Sequence, residues 1–182
     1  MKIIPTSIPD VIRIKPDIYE DERGYFMEAY QKTRYKEAGI PYDFVQDNQS
    51  SSARTTLRGL HYQVTHTQGK LVRVIVGEIF DVAVDIRRSS PFFGKWFGVY
   101  LSAENKEQFW IPPGFAHGFY ALSERADILY KATDYFDHTG ERCIRWDDPT
   151  LSIEWPIPQN ITPIISKKDA AAPFFTDAEV FE

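Results

Sequence analysis

The chain has one cysteine, Cys143, in 182 residues. That excludes an intrachain disulfide and a thiolate metal cluster. It fits a reducing cytoplasm, the compartment expected here. Long hydrophobic runs are also missing. No stretch approaches the ~18 apolar residues of a membrane span. Met1 to Lys15, interrupted by Pro5, Pro9 and Asp10, has no apolar core of the length a signal peptide needs. Charge of one sign is not concentrated anywhere. The net charge is -5, with neither a run of like charges nor the basic stripe of a nucleic-acid binder. Nucleic acid and membrane are therefore not expected as partners. An anionic small molecule remains compatible, because a few convergent cations can hold a phosphate on an acidic protein. Repeats, low-complexity segments and linkers are absent, and the length argues for one domain over residues 1–182.

What is present reads as β structure. Hydrophobic residues at 43% and aromatics at 15% suffice to fill a sandwich or barrel. The 12 prolines and 10 glycines are dispersed and cut the chain into short pieces. Phe80, Val82, Val84 and Ile86 alternate with Asp81, Ala83, Asp85 and Arg87, which predicts a half-buried strand. Lys70 to Val76, Trp96 to Leu101, Gly118 to Leu122 and Ile128 to Thr133 are further strand candidates. Helix candidates are few; Tyr30 to Ala38 is one, stopped by Gly39 with Pro41 beyond. Such spacing suggests a β-sandwich, barrel or jelly roll. Pro156, Pro158 and Pro163 exclude long regular elements near the end, so that segment is expected to wrap the barrel as a tail.

Three stretches concentrate chemistry. Arg58-Gly59-Leu60-His61-Tyr62-Gln63 holds a cation, a glycine and an imidazole that titrates near neutral pH. His61 is either a general base or a hydrogen-bonded strand histidine. Strict alternation sets Arg58 and His61 on opposite faces, and a bulge at Gly59 would turn both toward one cavity. Trp110 to Phe119 contains Pro112-Pro113-Gly114 and then His117. This is a turn and strand whatever else it does, and its Pro-x-Gly-x-x-His spacing resembles the second motif of the cupin superfamily. The first cupin motif supplies His-x-His and a glutamate. Here Gln63 replaces the second histidine, and Lys70, placed by its spacing to Gly77, replaces the glutamate. A protonated lysine has no lone pair and repels a dication, so the expectation is a cupin barrel without its metal. In the third stretch, Ile128 to Phe136, Tyr130 is either a core tyrosine or a proton donor whose pKa a nearby cation lowers.

Together these segments closely resemble the dTDP-4-dehydrorhamnose 3,5-epimerase family. The motifs are Asp21 to Phe26, Phe44 to Asn48, Leu57 to Gln63, Gln68 to Val74, Phe80 to Asp85, Ile111 to Phe119, Ile144 to Pro149 and Ser166 to Asp169, in order over nearly the whole chain. The resemblance implies an all-β, cupin-type jelly-roll barrel with a few short helices and a wrapping C-terminal tail. It implies a metal-free, cofactor-free isomerase that converts dTDP-4-dehydro-6-deoxy-D-glucose to dTDP-4-dehydro-L-rhamnose by inverting C3 and C5, both α to the C4 ketone. His61 matches the family's base, Asp169 the carboxylate that orients it, Lys70 the enolate stabiliser and Tyr130 the proton donor. Arg23, Arg58 and Lys168 would face the diphosphate. Gln46, Asp47 and Asn48 would contact the nucleotide, with Phe26, Glu28, His117 and Glu141 nearby. Phe136 would stack on the base where many relatives carry tyrosine. A homodimer that exchanges N-terminal strands is implied, with Arg23 and Glu28 supplied across it. The rivals are a relative that inverts only C3 or only C5, a metal-dependent cupin isomerase or dioxygenase, and a non-catalytic sugar-binding cupin.

Overall fold

The computed structural model describes all residues, 1–182. The strands, in chain order, are β1 (Lys2–Pro5), β2 (Ile12–Lys15), β3 (Ile18–Asp21), β4 (Gly24–Met27), β5 (Gln46–Ala53), β6 (Leu57–Gln63), β7 (Lys70–Val76), β8 (Glu78–Asp85), β9 (Trp96–Ser102), β10 (Gln108–Ile111), β11 (Phe115–Ala121), β12 (Arg125–Ala132) and β13 (Glu141–Cys143). The helices are α1 (Lys32–Glu37) and α2 (Lys167–Ala170). One sheet runs β1-β2-β10-β7-β12-β5 and the other β13-β6-β11-β8-β9, with every strand pair antiparallel. The fold is the expected all-β jelly-roll barrel. The third sheet is the β3–β4 hairpin alone.

The barrel interior is packed by Val72 and Val74 of β7, Phe109 and Ile111 of β10 and Ile128 of β12. Against them stand Ile79 and Ala83 of β8, Phe115, Phe119 and Ala121 of β11, and Val99 and Leu101 of β9. Phe109 is fully buried. Phe109→Ala is expected to lower the unfolding free energy by about 3–5 kcal/mol, through lost transfer energy plus a cavity. The midpoint and slope of a urea titration check it.

The prediction of a half-buried β8 needs correction. Ile79 to Asp85 are buried on both faces. Ile79 and Ala83 point into the barrel. Phe80, Val82, Val84 and Ile86 form a second core with Leu151, Phe175 and Ala178, flanked by Trp155 and Phe181. The apolar face of β8 therefore lies under the wrapping tail. The face bearing Asp81 and Asp85 is buried too, which strand alternation alone does not reveal. The tail carries only α2 and a 3-10 turn at Phe175–Asp177. It returns beside β6 through Leu57 N–H to Ile164 O (2.9 Å) and Ile164 N–H to Thr55 O (2.9 Å). The predicted helix at Tyr30 to Ala38 is present in shorter form as α1, whose Tyr35 joins Trp110 and Leu71 in a third cluster outside the barrel.

Candidate active site

The site begins with an irregular strand. Gly59 in β6 has φ +122°, and a Cβ there would lie 2.5 Å from Gly118 Cα and 2.7 Å from His117 O, so only glycine fits. The register against β11 shifts beside it. The bulge turns Arg58 and His61 into one cleft of about 380 Å³, shared with Thr56, Ile164, Lys168 and Asp169. Asp169 reaches the cleft because the returning tail starts α2 there. Ser166 Oγ caps the helix by accepting from Asp169 N–H (3.0 Å). The buried Asp169 carboxylate is left to meet His61 Nε2 at 2.7 Å, and it accepts from Gly59 N–H at 3.4 Å. Burial pushes the Asp169 pKa up, but the hydrogen bond and charge of His61, with Gly59 N–H and Ser166, outweigh it and hold the carboxyl below its usual range. An ionised Asp169 accepts the Nε2 proton, which leaves the His61 lone pair on Nδ1.

Lys70 and Tyr130 are on the opposite sheet and are not among the residues that line this cleft. They lie on β7 and β12, where Lys70 pairs with Ala132 and Tyr130 with Val72. Val72 and Tyr130 both pack on the interior core, so Lys70, two residues before Val72, shares that face. Burial lowers the Lys70 pKa to about 8, against the pull of Asp81 and Glu141. The ammonium is charged below that value and neutral above it. If its charge is needed, kcat/KM falls as pH rises through about 8, a limb that a pH–rate profile of the free enzyme reports. At Tyr130 the nearby cation is Arg58, but burial dominates and Glu141 adds to it, so the pKa rises above 10 rather than falling. The phenol is therefore protonated at neutral pH and able to donate.

The other expected residues separate into three groups. His117, opposite His61 across β11 and β6, is buried and bonds Asp81 Oδ1 through Nε2 at 2.6 Å. Burial lowers its pKa, so the imidazole is neutral. Glu141 stands opposite Gln63 and forms an ion pair with Lys168. They adjoin the cleft without lining it, His117 through His61 and Glu141 through Lys168. At the barrel mouth, Gln46 and Asn48 alternate onto the Tyr130 face of β5. Gln46 Nε2 donates to Asn48 Oδ1 (2.9 Å), and Phe136 N–H donates to Gln46 Oε1 (3.0 Å), which sets the half-exposed Phe136 ring beside them. Asp47 points the other way, onto the outer face of the sheet, where it holds Lys131 at 2.9 Å. Arg23, Phe26 and Glu28 are not brought to this cleft. Arg23 is paired with Asp21, Glu28 with Arg34, and Phe26 is 70% exposed on the β3–β4 hairpin. Asp81 and Cys143 also reach the site, and the sequence motifs assign neither a role. Alternation in β8 does put Asp81 off the apolar face, but nothing in the sequence signals Cys143.

The four positions of a cupin metal centre do not suit a metal here. Lys70 occupies one. The Gln63 amide is committed elsewhere, donating to His66 O (2.6 Å) and Tyr135 O (3.2 Å) and accepting from Asp137 N–H (3.0 Å). His61 and His117 alone do not make a closed site.

The family model described as dTDP-4-dehydrorhamnose 3,5-epimerase matches residues 5–177. The chain belongs to that family. It is 55% identical over 182 residues to the dTDP-4-dehydrorhamnose 3,5-epimerase of Pseudomonas aeruginosa, covering 100% of this chain and 99% of that one. Among solved structures it resembles the dTDP-6-deoxy-D-glucose-3,5-epimerase of Legionella pneumophila, determined with dTDP-4-keto-L-rhamnose. The TM-score is 0.94 at 55% identity, over 98% of this chain and 94% of that one. A 3'-monoepimerase from Streptomyces bikiniensis, solved with dTDP-quinovose, is more distant: TM-score 0.87 at 31% identity, over 94% and 87% of the two chains. The fold is thus common to double and single epimerases, and of these three proteins the two 3,5-epimerases stand nearer in sequence. No helix is long and apolar enough to cross a membrane.

Proposed function

We propose that this chain is a metal-free 3,5-epimerase of dTDP-4-dehydro-6-deoxy-D-glucose, forming dTDP-4-dehydro-L-rhamnose. The observation that carries the reading is the pair made by His61 of β6 and Asp169 of α2, at 2.7 Å, with Lys70 and Tyr130 on the other sheet. A sugar ring between the sheets presents one face to a base and the other to an acid. The C4 ketone makes the protons on C3 and C5 removable. His61 Nδ1 takes the proton, and Asp169 stabilises the imidazolium that results. Lys70 meets the charge that develops on the ketone oxygen. Tyr130, neutral at working pH, returns a proton from the opposite face.

Arg58 and Lys168 bind the diphosphate at the cleft. Gln46 and Asn48 take the nucleotide at the mouth with Phe136 stacked on the base, His117 and Glu141 line the sugar side, and Asp47 contributes through the backbone of β5. The β3–β4 hairpin presents Arg23 and Phe26 to a second copy, with Glu28 just after it. The support is its isolation from both barrel sheets and its exposed Tyr19, Tyr25 and Phe26. On this reading the active form is a cytoplasmic homodimer that completes each site by strand exchange.

Ring-proton NMR of the product formed in the presence of chelator tests this. Inversion at both carbons is expected, and inversion at one alone would select the single-epimerase reading. Tyr130→Phe is expected to retain proton abstraction while slowing net inversion by about 10²–10⁴-fold. Comparison of solvent exchange with inversion in the same sample separates the two effects.

A further inference from the structure

Cys143 takes no part in the proton transfers above, yet it sits against them. It pairs with His61 in the register of β13 on β6, and its Sγ is 3.8 Å from Asp169 Oδ1. One donor atom from each of His61, Cys143 and Asp169 lies within 4.8 Å of the others. They come from β6, β13 and α2, so the fold itself gathers them. An imidazole nitrogen, a sulfur and a carboxylate oxygen form a donor set for Zn²⁺ and softer relatives such as Cd²⁺, with three protein ligands and an open fourth position. Bonds of about 2.0–2.3 Å put tetrahedral donors roughly 3.2–3.8 Å apart. The sulfur–carboxylate separation meets that span already, and the His61–Asp169 pair must widen by roughly half an ångström. The buried thiol and carboxylate are reached past His61, whose side chain is 30% exposed in the cleft. This site shares His61 with the cupin positions but uses Cys143 and Asp169 in place of Gln63 and Lys70.

We infer that His61, Cys143 and Asp169 form an inhibitory site for a thiophilic divalent cation. The Cys143 thiol gives its proton to solvent as the metal–sulfur bond forms. The His61 Nε2 proton moves to Nδ1 as Nε2 becomes a ligand. No oxidation state changes. The imidazole stays neutral, but its basic lone pair and the Asp169 carboxylate are both taken up by the ion, so proton abstraction stops. The inhibition rests on His61 being the base; the binding does not.

The test uses the full chain, freed of metal with chelator. Cd²⁺ is titrated while the thiolate-to-metal charge-transfer band is followed, and turnover is measured with Zn²⁺ and at the same Cd²⁺ concentrations. A band that saturates at one ion per chain is expected, with turnover lost and restored by chelator. Cys143→Ser is expected to keep metal-free turnover, give no band, and weaken Zn²⁺ inhibition by at least the ~10–100-fold that loss of a partner supporting a ligand costs. Cys143→Ala, run beside it, separates loss of the ligand from altered packing. No band in a wild-type chain that turns over substrate, or equal Zn²⁺ inhibition of wild type and both variants, overturns the site. A saturating band with turnover undiminished at the same Cd²⁺ concentration overturns the inhibition, while the base assignment is decided separately by His61→Ala.

Discussion

His61→Ala is expected to lower turnover by about 10³–10⁴-fold while dTDP binding survives. The size follows from what is lost. The C3 and C5 protons are acidified by the ketone, but not enough for water to remove them at a useful rate. His61 is the only imidazole in the cleft with a carboxylate on one nitrogen and the other open to a substrate. His117 does not replace it, because that side chain is buried, neutral and bonded to Asp81. Binding survives because Arg58, Lys168 and the barrel mouth do not depend on His61. Arg58 is positioned by Ser52 Oγ (3.1 Å) and Ser51 O (3.2 Å). Calorimetric titration with dTDP beside steady-state rates makes the check. More than a few per cent residual activity in a protein free of wild-type carry-over would remove His61 from the role of base.

Lys70→Met should cost about 10²–10³-fold in kcat, the usual penalty for deleting one preorganised group at a developing oxyanion. The aliphatic stem is largely kept, so packing beside Val72 and Ala132 changes little and the charge is the main loss. Two features distinguish this from structural damage. The alkaline fall of the wild-type profile near pH 8, set by desolvation of the Lys70 ammonium, should vanish from the residual activity of the variant. Stability should not fall with it: removing a half-buried cation relieves its desolvation, so the thermal midpoint should hold or rise. A Lys70→Met protein that unfolds early, or keeps the alkaline limb, would contradict the assignment.

How much of this was legible in the sequence differs from element to element. Lys70 to Val76 stands in the structure with the predicted boundaries, because a run of β-branched residues ending at a glycine needs no tertiary information. Gly59 was a recognisable weak point, and its bulge explains how Arg58 and His61 share a cleft despite alternation. Period-2 alternation also separates Asp47 from Gln46 and Asn48, although the three form one motif. β8 misled because both its faces are covered, one by the opposite sheet and one by the tail. A strand pattern reports polarity, not what is laid over it. The Asp169–His61 contact spans 108 residues of sequence, and no local pattern encodes such a distance; the family motifs carried it. Cys143 was invisible as a site residue, since its meaning comes wholly from its register opposite His61.

Proton NMR of dTDP-4-dehydro-6-deoxy-D-glucose in heavy water, with chelator, comparing the wild-type chain with His61→Ala, tests the central claim most directly. The wild-type chain should erase both the C3 and C5 proton signals, and His61→Ala should leave both in place over the same period. Persistence of either signal with wild type would contradict double epimerisation. Loss of both signals with His61→Ala would show that another group abstracts the protons.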